Sequence, residues 1–161
     1  MKLWIIYKDG FLISKVIAEM LQDRLENYIG VSVGKASKIE PSIIVEEELD
    51  YLIVGDIIFK SLPSTIIQNW VLKYRENNRK TNLCLKALSG FLITQNEIKK
   101  DIHWSEFIQG YIQAKKFYPP ILLLKLNKSD LVFETDVREI VKEYSTKFIE
   151  LITTKPKKDT G

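Results

Sequence analysis

The chain is poor in the residues that build metal sites and covalent cross-links. It has one cysteine, Cys84, and one histidine, His103. A single cysteine excludes a disulfide framework and a thiolate zinc cluster, and a single histidine excludes histidine-rich metal centres and leaves little for imidazole acid–base chemistry. No metal site and no catalytic residue is expected. Long apolar runs are also missing. The opening segment MKLWIIYKDG is interrupted by Lys8 and Asp9 before it reaches the length of a signal peptide or a membrane span. These absences predict a cytoplasmic protein in a reducing compartment, with no membrane partner.

What is present is ordinary for a globular domain. Of the 161 residues, 45% are hydrophobic and 28% charged, enough for a core without staples. The formal net charge is +3, but the last seven residues, KPKKDTG, carry three lysines and one aspartate, a sum of +2 that leaves +1 for residues 1–154. No basic stripe with interleaved aromatics lies outside that tail, so no nucleic-acid partner is expected. The reading is a single domain over residues 1–154 and a disordered basic tail over 155–161.

Along the chain, apolar runs alternate with helical periodicity. Residues 2–7 (KLWIIY) read as a strand buried on both faces. Ile13, Ile17, Leu21, Leu25 and Tyr28 then recur at helical spacing over 13–28, closed by Gly30. A short strand at 31–33 and a polar connection through Pro41 lead to the plainest strand, 50–56. A helix from near Pro63 presents Ile66, Ile67, Trp70, Val71 and Tyr74, and a fourth strand runs irregularly from Leu83 to Leu92. Phe107, Ile108, Tyr111 and Ile112 predict a helix over 105–117, Ile121–Leu126 a fifth strand, and Val137, Val141, Tyr144, Phe148 and Ile152 a last helix over 135–153. Alternating strands and helices with right-handed crossovers give an α/β, doubly wound, five-stranded parallel sheet with helices on both faces. Ligands of such sheets bind beyond the carboxyl ends of the strands, which selects the loops 8–14, 55–63 and 88–95.

These loops resemble those of the flavodoxin-like family, and the order and length of elements resemble it over most of residues 2–153. Val54-Gly55-Asp56-Ile57-Ile58-Phe59-Lys60-Ser61-Leu62-Pro63 is similar to the family's apolar strand, glycine, small-residue loop, aromatic and proline. Leu88-Ser89-Gly90-Phe91 is similar to the small-residue loop after its fourth strand. Gly10 and Ser14 match in kind its hydroxyl-rich phosphate cradle before the first helix, where Asp9 stands as a repelling charge. The resemblance implies strand order 2-1-3-4-5 and bound FMN. The phosphate would be held by Lys8, Gly10 and Ser14 at a helix N-terminus, and the flavin ring flanked by Phe59 and approached by the backbone of Ser89 and Gly90. It implies an electron-transfer protein or small oxidoreductase, a flavoprotein whose partner is a redox protein or a second copy of itself. The apolar Phe11-Leu12-Ile13 suits an alternative, a binding or assembly module of the same fold without flavin.

Asp9, Asp56, Ser89 and Lys125 also resemble the acid, nucleophile, hydroxyl and lysine of a receiver domain, a phosphoacceptor alternative disfavoured by the 36 residues between Ser89 and Lys125. Phe59 equally suits packing beneath the next helix. Cys84 reads as a small core residue, His103 as a surface residue in a polar loop beside Trp104, Trp4 and Trp70 as core, and Glu46-Glu47-Glu48 as a solvated turn.

Overall fold

The computed structural model describes residues 1–10, 12–58, 62–95, 102–127, 132–133 and 135–154. Phe59 and the tail 155–161 lie outside the described residues. Five parallel strands, β1 (Lys2–Tyr7), β2 (Gly30–Lys35), β3 (Tyr51–Ile58), β4 (Ala87–Thr94) and β5 (Leu122–Lys125), form one sheet in the order β2-β1-β3-β4-β5. This is the expected doubly wound topology. The central strands β3 and β4 are buried along their whole length and pair over eight residues, from Tyr51↔Ala87 to Ile58↔Thr94. That burial on both faces is why they read as unbroken apolar runs.

The helices are α1 (Ile13–Leu25), α2 (Pro41–Glu46), α3 (Thr65–Asn78), α4 (Ile102–Tyr111) and α5 (Val137–Thr153). Helices α1 and α5 cover one face, burying Ile17, Leu21, Tyr144 and Phe148 against Leu3, Ile5, Ile53 and Phe91. Helices α2, α3 and α4 cover the other, with Ile44, Ile67, Trp70, Tyr74 and Trp104 against Ile6, Leu52, Val54 and Leu88. Trp4 and Trp70 join this second layer, their indole N–H groups donating to Glu47 (2.7 Å) and to the Ile39 carbonyl (2.8 Å).

Several boundaries differ from the expectation. The connection through Pro41 contains α2, whose six residues show too little periodicity to be seen. β4 begins at Ala87, not Leu83, so Cys84 lies outside the strand and is exposed, a correction to its reading as core. α4 starts at Ile102, so Trp104 is a fully buried helical residue rather than part of a polar loop, while His103 is at the surface.

Candidate functional site at the carboxyl edge of the sheet

The site is built where β1 and β3 end. Lys8 N–H donates to the Gly55 carbonyl (2.9 Å), so the pairing of β1 with β3 continues one residue past Tyr7 before the chain leaves the sheet. It then turns through Gly10 and Leu12, the latter in the left-handed region at φ 62°, and enters α1 with Ile13 N–H donating to the Gly10 carbonyl (3.1 Å). A Cβ on Gly10 would stand 2.5 Å from Ile57 Cδ1, so this turn packs directly on β3. Leu12 at the N-cap has no side-chain oxygen, and the first turn of α1 has no acid. The positive end of the helix dipole therefore has no acid of its own first turn or cap to offset it. Inside that turn Ser14 is fully buried and, among the described residues, its Oγ has no hydrogen-bond partner. Such an orphan costs about 1–3 kcal/mol, which an acceptor reaching it would offset.

Asp9 Oδ2 is 3.0 Å from Lys35 Nζ at the end of β2. Asp9 in turn holds the Lys35 ammonium above its ordinary range, by hydrogen bond first and charge second. Asp9 is thus neutralised, and Lys8 leaves the loop with one positive charge over that pair.

The end of β3 is organised by Asp56, a carboxylate with no exposed surface. Its Oδ1 accepts from Ile57 N–H (2.9 Å), and its Oδ2 from Ser64 N–H (2.9 Å) and the Trp104 indole N–H (3.0 Å). Ser64 is itself the N-cap of α3, accepting from Ile67 N–H. One side chain therefore ties β3, the start of α3 and α4 together. Burial pushes the Asp56 carboxyl above its ordinary value, against the opposing pull of the Ser64 and Trp104 donors and the Lys8 charge.

The structure sets Lys8, Gly10 and Ser14 along the one stretch that leaves β1 and opens α1. It puts Ser89 and Gly90 elsewhere. β4 does not end at Phe91 but runs to Thr94, and Ser89 pairs with Ile53 and Gly90 with Val54, well before the carboxyl edge. The Ser89 hydroxyl donates to the Pro119 carbonyl (2.7 Å) and accepts from Tyr144 OH (2.6 Å), a buried chain that joins β4 to α5. A Cβ on Gly90 would stand 2.6 Å from the Trp104 ring and 2.7 Å from the Val54 carbonyl oxygen. Gly90 is small because the Trp104 ring and the Val54 carbonyl lie over it, and Ser89 is a small hydroxyl link between Tyr144 and Pro119; neither marks a bend in a loop. The receiver-like set is not assembled either: Asp56 is enclosed, Asp9 is paired with Lys35, and Ser89 sits three residues before the position opposite Asp56.

Sequence reading did not find Lys35, the three-way role of Asp56, or the burial of Trp104. Trp104 had a signal, since 104, 108 and 112 extend the helical spacing by one turn. Lys35 had none.

No protein-family model and no curated protein matches the sequence. Solved structures do match. A flavodoxin from the domain Archaea is similar at TM-score 0.68 and 15% identity, over 94% of this chain and 96% of that one. Flavodoxin 2 from Bacillus cereus is similar at TM-score 0.67 and 15% identity, over 94% and 97%. The rubredoxin oxygen:oxidoreductase of Desulfovibrio gigas is similar at TM-score 0.70 and 13% identity. There the match covers 94% of this chain, which spans only 36% of that enzyme. Among the described residues no helix is long and apolar enough to cross a membrane.

Proposed function

Because the chain has the flavodoxin fold, we propose that it binds FMN at the carboxyl edge of the sheet and carries electrons for a redox partner protein in the cytoplasm. The observation that carries this reading is Ser14: a buried hydroxyl without a partner among the described residues, in the first turn of a helix with no acid and no side-chain cap, beside a loop whose one acid is neutralised. These features fit a phosphate, which needs hydroxyl and N–H donors at a helix N-terminus.

In this reading Lys8, the Gly10 turn and Ser14 hold the phosphate. Leu62, exposed just before α3, offers apolar surface to the ring. Ser89 and Gly90 have no part in it. The bound flavin supplies reversible one- or two-electron transfer. The protein's part is to orient it, and Asp56 does so indirectly by fixing where the β3–α3 loop re-enters the fold.

The test is quenching of FMN fluorescence by the purified protein. Wild type should bind, and Ser14→Ala should weaken binding roughly tenfold or more, the loss of one charge-assisted hydrogen bond. A colourless protein that quenches nothing rejects the cofactor, and equal affinities reject the placement. Leu12 favours a second reading. It is 68% exposed where phosphate donors are expected, which suits a flavin-less module contacting another protein through that loop.

A further inference from the structure

The opposite end of the sheet, where the strands begin, is divided by charge. On the β3–β4–β5 side lies a groove of about 920 Å³. Tyr51, Phe117, Tyr118 and Leu151 give it apolar walls, and Lys86, Lys115, Lys116 and Lys147 stand on its rim with Glu150 as the one acid. All four lysines are exposed. Lys86 is 3.4 Å from Asp50, whereas among the described residues no acid pairs with Lys115, Lys116 or Lys147. Four lysines against Glu150 and Asp50 leave a local charge of +2.

On the β2–β1–β3 side of the same end lies the acidic run. Glu46 ends α2, and residues 47–50 connect it to the start of β3. Asp50 there accepts from Lys2 N–H, and Asp50 N–H donates to the Lys2 carbonyl, which fixes the run beside the start of β1. Glu46 and Glu48 are exposed, while Glu47 is occupied by the Trp4 indole. Tyr28, 52% exposed, stands just before β2 on this side. The acidic run thus lies toward β2 and on the α2 face, Tyr28 follows α1 on the opposite face, and the basic groove lies toward β5 and on the α5 face.

Two copies meeting end to end about a two-fold axis exchange these halves. The Glu46–Glu48 run of each copy faces the lysine rim of the other, and the contact is made twice. We propose that the amino end of the sheet is a self-complementary dimer interface, with a second copy of this chain as the occupant of the lysine groove. A polynucleotide suits the groove less well: it has no arginine for bidentate phosphate contacts, and Glu150 stands within it. The proposal is independent of flavin binding, since it uses the end of the sheet remote from Ser14.

The test is sedimentation of the full chain with charge-reversed variants. Wild type at about 100 μM should be dimeric in low salt and dissociate as salt rises past about 0.3 M, where surface charges are screened. Lys116→Glu/Lys147→Glu and Glu46→Lys/Glu48→Lys should each weaken dimerisation at least tenfold, about 1.4 kcal/mol or more. Mixing the two variants should restore a dimer, because an all-acidic end then meets an all-basic one. The substituted residues are exposed, and unchanged far-ultraviolet dichroism verifies that the variants fold. A wild type that is monomeric at low salt overturns the proposal, as does a dimer that neither variant weakens, or a mixture that stays monomeric. Binding of an acidic peptide or a polynucleotide to a monomeric wild type would assign the groove to that occupant instead.

Discussion

Replacing Asp56 by alanine removes the acceptor of three N–H donors at once, those of Ile57, Ser64 and Trp104. The Ser64 contact is only partly buried, so water can replace it. The Ile57 and Trp104 contacts are buried, and each donor left without an acceptor costs about 1–3 kcal/mol. Against this, the wild-type carboxylate is itself expensive to bury, which returns part of the loss. The net expectation is a destabilisation of about 2–4 kcal/mol, the low end of the sum of two orphans. For a domain of this size that is a fall of about 5–15 °C in Tm. Urea unfolding followed by Trp fluorescence and by far-ultraviolet dichroism measures it. A loss below about 0.5 kcal/mol would show that the three donors find other partners and that Asp56 does not hold the elements together.

Asp56 also sets a pH dependence. Its folded value is raised, so just above the ordinary carboxyl range the folded state binds a proton that the unfolded state lacks. Stability from this group therefore falls as pH rises through the folded value, and Asp56→Asn should flatten that slope in urea unfolding as pH is raised from the ordinary carboxyl range; parallel slopes would refute it. Gly55→Ala would place a Cβ 2.0 Å from Cζ of the buried Phe91 ring, costing about 1–3 kcal/mol. Phe91→Leu in the same chain should recover part of that loss in thermal unfolding, and an additive double variant would disprove the contact. Lys35→Met leaves Asp9 without its cation and should weaken FMN binding several-fold, roughly 0.5–1.5 kcal/mol, while Asp9→Asn should strengthen it in the same titration.

The architecture was legible because both layers depend on strong local signals. β1 and β3 are apolar runs, and α1, α3 and α5 repeat their buried residues at helical spacing. The site was legible only where it is local. Lys8, Gly10 and Ser14 follow one strand and open one helix, so chain order alone brings them together. Ser89 and Gly90 were misplaced because smallness has two physical causes, a turn or a close neighbour, and the neighbours Trp104 of Gly90 and Tyr144 of Ser89 come from 14 and 55 residues further along the chain. The Lys35–Asp9 pair depends on β2 lying beside β1 in register, Tyr7 against Lys35, which no spacing encodes. Cys84 was misread because Leu83-Cys84-Leu85 looks like strand, whereas the ladder with β3 starts at Ala87.

The two faces of the sheet do not close at the same stage of synthesis. The layer under α2, α3 and α4 draws its buried residues from positions 4 to 112, so it can assemble once about two thirds of the chain has emerged. The layer under α1 waits for Val141, Tyr144, Phe148 and Ile152 of α5, the element that follows all the others in the chain. Until then Leu3, Ile5, Ile53 and Phe91 have α1 alone above them. A nascent chain halted before residue 137 therefore presents one finished side and one greasy, half-roofed side, the kind of intermediate that chaperones bind and that aggregates when released early.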